Sequence, residues 1–292
     1  MKKKSSLKHT GAFWAFCAPC CILFGVFFLV PLVLSIAFSF TNYDGWKTMD
    51  FVGLTNYITL FKDSKFYLSL GRTLLYTVCT LPFRVIIPLL VAVLLCSKRV
   101  AGKSLTRTMV YIPVLMSALV VGITINWMFS QEYGLVNFII RSLGGTALEW
   151  SLNPRLATFV IAFASVWASI GFNMILYIGG INSISNDLYE AATIDGASSV
   201  QAFFRITVPM LAPTTFMVVL LSTVNLLKEY ALVQGITQGG PGLSTTFIIQ
   251  YIFDKGFNQM QYGYASAIST VVMIIFALIA FAQFKVNNGG ET

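Results

Sequence analysis

Long apolar blocks alternate along this chain with shorter polar stretches, and the blocks have the length that a bilayer core of about 30 Å requires of a helix. They fall near 13–40, 73–96, 106–129, 156–180, 210–233 and 264–284. Five read plainly as spans and one is interrupted, so the pattern predicts six transmembrane helices in an all-α membrane protein. Pro31, near the far end of the first block, predicts a kink there.

Composition agrees. Of 292 residues, 57% are hydrophobic and 10% charged, and the mean hydropathy is +0.78, values that no soluble domain of this size carries without aggregating. The first block follows Lys2, Lys3, Lys4 and Lys8 and so resembles the start of a secretory signal. Its apolar run is too long for a cleaved segment and lacks a small-residue cleavage site, which makes it a retained span.

The charges set an orientation. The N-terminus and the loop carrying Lys98, Arg99, Lys103 and Arg107 are basic with no acid, as cytoplasmic segments are. Loops 41–72 and 130–155 mix bases with Asp44, Asp50, Asp63, Glu132 and Glu149 and suit the outside. Six spans then leave both termini in the cytoplasm, with tails at 1–12 and 285–292 flanking one membrane domain at 13–284. The net charge of +8 is thereby topology signal and contact with anionic lipid, not a nucleic-acid footprint.

Enzyme chemistry finds little to use. Gly102, Lys103 and Ser104 match the end of a phosphate-binding loop, but Ser97 stands where its first glycine belongs and no apolar strand leads into it. His9, the single histidine, lies in the polar N-terminal tail. Cys17, Cys20, Cys21, Cys79 and Cys96 sit within or at the ends of apolar blocks and read as small packing residues rather than metal ligands or disulfides. No nucleophile stands with a base, so the chain is not expected to be an enzyme, to bind a metal or to hold a cofactor.

One polar stretch is more ordered than a connection needs: EAATIDGASSVQAFFRITVP, from Glu190 to Pro209. Asp187 and Glu190 have capping-box spacing for a short helix whose small apolar face holds Leu188, Ala191 and Ala192. Gly196 supplies a left-handed stop. Ser198 and Gln201 repeat the capping spacing, and a second helix carries Phe203, Phe204 and Ile206 to Pro209 and Pro213. The segment, 187–209, is a helix-turn-helix.

Its fixed positions resemble the EAA loop of the membrane subunits of ABC importers: Glu190, Ala191, Ala192, three residues, Gly196, nine residues, Ile206, one residue, an apolar residue and Pro209. Val208 stands where that pattern more often has leucine. FVGLTNYITLF from Phe51 and TQGGPGLSTTFIIQYIFDKGF from Thr237 are similar to external segments of the carbohydrate-importing, maltose-type permeases. The resemblance implies the type I importer permease fold and a multi-pass place in the bacterial inner membrane. It implies that the EAA helix docks in a cleft of a cytoplasmic ATPase, where ATP and Mg belong to the partner. It also implies two ATPase subunits, an external substrate-binding protein and a second, related permease, although a homodimer stays open.

Polar residues within spans are costly and therefore informative. In the fifth block Ser222, Asn225, Leu226 and Glu229 follow the spacing of one helical face, with Lys228 as a candidate counter-charge to Glu229. In the fourth, Ser165, Ser169, Phe172 and Asn173 form a comparable stripe beside Trp167. Hydroxyls and amides beside aromatic faces suit a sugar, and the resemblance places substrate contacts on these two spans. Helix packing is the competing role for each serine. Arg84, between Pro82 and Pro88, either satisfies carbonyls that the prolines free or holds an anionic group, which leaves an acidic sugar or a glycerol-phosphate-type substrate as an alternative to an oligosaccharide. An ion-coupled secondary transporter would need internal repeats and intramembrane acids, and a non-transporting scaffold or sensor would keep the loop alone.

Overall fold

A computed structural model describes residues 6–46, 49–97 and 102–288. Lys2, Lys3, Lys4, Lys98 and Arg99 lie outside the described residues, as do the side chains of Lys8 and His9. Among the described residues the regular structure is helical, with one isolated antiparallel bridge between Thr41 and Phe51.

The helices run in order as α1 (Ser6–Phe24), α2 (Val30–Phe38), α3 (Thr55–Lys62), α4 (Ser64–Cys96), α5 (Lys103–Leu115), α6 (Ala118–Met128), α7 (Leu135–Ser142), α8 (Pro154–Asn182), α9 (Asn186–Ile194), α10 (Ser199–Ala202), α11 (Val208–Met210), α12 (Ala212–Leu227), α13 (Ala231–Ile236), α14 (Ile248–Phe253) and α15 (Tyr262–Asn288). Wide π-turns interrupt them at Gly25–Leu29, Phe203–Thr207 and Asp254–Asn258. Four stretches are long and apolar enough to cross a membrane: Phe16–Phe38, Ser64–Cys96, Pro154–Asn182 and Tyr262–Val286. Two bent pairs, α5 with α6 at 101° and α10–α11 with α12 at 67°, raise the number to six if each is one span.

Four of the six expected spans are thus present as continuous stretches with altered bounds, and the other two correspond to the bent pairs. The second begins nine residues earlier than its apolar core, at Ser64 rather than 73, because the polar first turns add helix without adding hydropathy. The third is broken between Leu115 and Ala118, and the fifth follows the elbow across a 67° bend at its expected start but stops at Leu227 rather than 233. In the first span, the irregularity is the π-turn Gly25–Leu29 that ends just before Pro31, and Val30 N–H bonds Gly25 O across it. Proline lacks an N–H and crowds the carbonyl four residues back, so the widened turn takes up the misfit. Pro82 and Pro88 leave α4 unbroken, a tolerance common in membrane helices.

Two compact units divide the chain: residues up to Ser64 with Ile252–Ile275, and Lys65–Tyr251 with residues from Phe276 onward. In the first unit, Asn56 Nδ2 donates to Ser39 O and Thr41 O, and Tyr264 hydroxyl donates to Asp63 at 2.7 Å. The second unit holds the core. One cluster joins Tyr76, Val121, Ile125, Ile161, Val233 and Phe247. Another joins Ala92, Met174, Tyr177, Leu211 and Val218.

Short α13 is held against α6 by two glycines. A Cβ on Gly122 would stand 2.9 Å from Leu232 O, and one on Gly235 would stand 2.8 Å from Leu119 O. Small residues allow such backbone approach, which is how membrane helices gain dispersion contact without a hydrophobic drive. The crossing fixes the segment that follows Glu229. Of the cysteines, Cys20, Cys21 and Cys79 are exposed on the chain's surface rather than packed inside it.

Candidate functional site

The segment after α8 folds as the helix-turn-helix its spacing predicts, with one correction. Ser185, not Asp187, caps α9, its side chain accepting from Asp187 N–H at 3.2 Å. Asp187 is therefore a first-turn anion that favours the positive end of the helix. Gly196 ends the helix at φ +76°. Gly196 N–H bonds Thr193 O at 3.1 Å and Ala197 N–H bonds Ala192 O at 2.8 Å, the paired closure that satisfies the last carbonyls. The second cap is reciprocal: Gln201 N–H donates to Ser198 Oγ, and Ser198 N–H donates to Gln201 Oε1.

The two arms are tied together. Tyr189 hydroxyl and Thr207 Oγ1 lie 2.9 Å apart, and Thr207 is buried. Tyr189 and Ile206 pack on the cluster formed by the ends of α4 and α8 with the start of α12. Thr207 closes the π-turn Phe203–Thr207, and after Pro209 the chain turns through 67° at Leu211 into α12. Facing away from the core, Glu190, Ala191, Gly196 and Pro209 are exposed and Ala192 is half-buried. Around them Ile194, Val200 and Phe204 also stand exposed, Ile194 at 85%. Pattern reading passed over Ile194 and Val200, because a fully exposed apolar side chain in a short loop helix has no periodicity to betray it.

A second constellation lies inside the helices. Arg84 of α4 is 5% exposed and donates through its guanidinium to Ser165 Oγ of α8. Its Nη2 stands 3.9 Å from Glu229 Oε2. Asn173 of α8 donates to Arg84 O at 2.9 Å and to Ser222 Oγ of α12 at 3.2 Å. Thr223, one residue on, accepts from Gln283 of α15 at 2.8 Å. Buried amides and hydroxyls in an apolar surround must find internal partners, and here they bolt α4, α8, α12 and α15 together.

Three expectations change. Glu229 does not extend a face of α12, because that helix ends at Leu227; the carboxylate instead accepts from Leu232 N–H at 3.3 Å at the start of α13. Ser222 and Leu226 are buried while Asn225 is exposed, so the four residues do not share one face. Lys228 is exposed, and Arg84 is the cation facing Glu229. The guanidinium is accordingly turned toward Ser165 and Glu229, not toward proline-freed carbonyls. In α8, Ser165 and Asn173 join the network, whereas Ser169 bonds its own helix at Val166 O. Trp167 is half-buried against the first core cluster and Phe172 is 42% exposed.

Membrane-length helices, a polar network sunk among them and a stiffened elbow presented to the outside of the chain define a membrane-embedded transport subunit. The chain belongs to the family of binding-protein-dependent transport system inner membrane components, whose model matches residues 53–288. It is 32% identical to an arabinooligosaccharides transport system permease protein of Bacillus subtilis, over 94% of this chain and 88% of the relative. A lactose transport system permease protein of Rhizobium radiobacter is 32% identical, with 93% and 92% covered. A multiple sugar-binding transport system permease protein of Streptococcus mutans is 33% identical, with 95% and 96% covered. Among solved structures, a chain of a bacterial ABC transporter involved in the import of the acidic polysaccharide alginate superposes with a TM-score of 0.83, covering 97% of this chain and 96% of that one. At 24% identity that likeness is one of fold.

Proposed function

We propose that this protein is one permease subunit of an ATP-driven ABC importer, that it forms half of the path for a carbohydrate, and that it is driven through the 187–209 elbow. The observation that carries the proposal is the elbow itself: Glu190, Ala191, Ala192, Gly196, Ile206 and Pro209 keep the importer spacing, and the capped, exposed half of the segment is braced from behind. The sugar transport named for the relatives in Bacillus, Rhizobium and Streptococcus supports an oligosaccharide as cargo.

The geometry gives the coupling a route. A cytoplasmic ATPase that grips Glu190 and the apolar patch at Ile194 and Phe204 moves α9. The Tyr189–Thr207 bond passes that displacement to the second arm, and the 67° bend at Leu211 turns it into motion of α12. Ser222 of α12 is bonded to Asn173, so α8 and Arg84 feel the movement. Both termini and the elbow lie in the cytoplasm in this reading. ATP and Mg are handled by two partner ATPases, a second permease completes the path, and an external binding protein delivers the sugar.

Within the path, Trp167, Phe172 and Asn225 remain available to substrate, since each retains exposed surface. Asn173, Ser222, Leu226, Arg84 and Glu229 position the helices behind them, while Ser169 bonds within α8. Because Arg84 already faces Glu229, it offers no free cation to an anionic sugar, and the neutral carbohydrate is the better-supported cargo.

The test is uptake and ATP hydrolysis by the purified, reconstituted complex. Carbohydrate-stimulated hydrolysis that needs both the binding protein and this chain is the expected result, and Glu190→Ala weakens ATPase recovery by about 2 to 5 kcal/mol of docking energy. Uptake driven by an ion gradient without ATP, or unchanged ATPase recovery in that variant, overturns the proposal.

A further inference from the structure

Between α4 and α8 runs an apolar groove of about 770 Å3, with Leu75, Cys79 and Phe83 on one wall and Phe159, Ala162 and Phe163 on the other. On α4 it extends from Arg72 to Ile87, about 22 Å at 1.5 Å per residue, enough for much of one bilayer leaflet and its headgroup region. Arg72 and Arg155 belong to the N-terminal ends of the stretches of α4 and α8 that line it, and no carboxylate lines it.

The groove is not uniformly apolar. Thr80 Oγ1 and Ser244 Oγ belong to its lining, are buried, and have no hydrogen-bond partner among the described residues. Two arginines at one end and an apolar lining beyond them suit an amphiphile with an anionic head and a hydrocarbon body.

We propose that the groove is a binding site for an anionic phospholipid. Its phosphate lies at the Arg72 and Arg155 end, and one acyl chain runs between α4 and α8. Arg72 also donates to Leu243 O in the loop between α13 and α14, so one guanidinium links the lipid to the loop that carries Ser244 and Phe247. The inference rests on the membrane location and not on the carbohydrate reading.

The experiment is native mass spectrometry of the complete complex, stripped by extended detergent washing and then offered phosphatidylglycerol or phosphatidylcholine. The expected result is retention of phosphatidylglycerol in preference to phosphatidylcholine. Retention falls about fivefold in Arg155→Gln, the loss expected for one interfacial arginine, and further in Arg72→Gln with Arg155→Gln. Equal retention of the two lipids, or unchanged retention in Arg155→Gln, overturns the proposal. Arg72→Gln also removes the bond to Leu243 O, and so Arg155→Gln, at an exposed position, is the decisive variant. A photoreactive residue at Phe83 in the intact complex gives an independent readout: a lipid adduct supports the site, and an adduct with a second permease chain or any other protein overturns it.

Discussion

Removing one member of the Arg84–Glu229 pair leaves the other charged in an apolar interior, and that asymmetry can be measured. The two side chains are 7% and 10% exposed and 3.9 Å apart. At an effective dielectric near 20, unit charges at that distance attract by about 4 kcal/mol. Glu229→Gln preserves shape and the acceptor for Leu232 N–H but abandons the guanidinium, so a cost of about 3 to 5 kcal/mol is expected. Arg84→Met abandons the carboxylate and costs a similar amount. Replacing both, Arg84→Met with Glu229→Leu, also removes the desolvation penalty and costs far less than the sum of the singles. The assay is unfolding of the purified complex in a fixed mixed micelle, followed through the full double-mutant cycle with Glu229→Leu as the matching single variant. A coupling energy above about 2 kcal/mol is expected. Single variants that each cost under 1 kcal/mol and add without coupling would refute the buried-pair argument and return Arg84 to a cavity lined with water.

The elbow was legible because its devices are local. Capping spacing at Ser198 and Gln201 and a left-handed stop at Gly196 are set by residues within a few positions of each other, and the structure contains both. The first cap was misplaced by two residues because Ser185 and Asp187 both suit the role, and the choice depends on where the preceding helix α8 releases the chain. The apolar blocks were legible from hydropathy, and Pro209 and Pro213 marked the passage from elbow to fifth span, whereas the break at Met116–Ser117 was not legible, since a bent helix is as greasy as a straight one. The polar network was half legible. Arg84, Ser165, Asn173, Ser222 and Glu229 are each anomalous in an apolar run, but their pairing joins residues up to 145 positions apart and depends on α12 stopping at Leu227. That stop lies in the apolar run LLSTVNLL, followed by Lys228 and Glu229, with neither glycine nor proline to announce it.

The remaining predictions concern the joints. Gly122→Leu pushes a side chain into Leu232 O and Gly235, which stand 2.9 and 3.0 Å from the new Cβ, and should cost about 1 to 3 kcal/mol in the same unfolding assay, while a substitution at Gly71, with open space around it, should cost little. Gly196→Ala forces a Cβ into a φ of +76° at about 1 kcal/mol or more; reduced uptake with normal chain abundance is expected, and unchanged uptake would remove the fixed turn from the coupling route. Tyr189→Phe separates bracing from docking. It deletes the hydroxyl that meets Thr207 but leaves Glu190 and the exposed patch untouched, so ATPase recovery with the complex should match the wild type. Losing one hydrogen bond at a buried threonine costs about 1 kcal/mol, too little to unfold the chain but enough to loosen the two arms. Carbohydrate-stimulated hydrolysis should then fall severalfold relative to basal hydrolysis, and Thr207→Val should do the same from the opposite side of the bond. If both variants keep full stimulation, force reaches α12 by packing at Ile206 and Leu211 alone, and the hydrogen bond is a fold contact without a part in transmission.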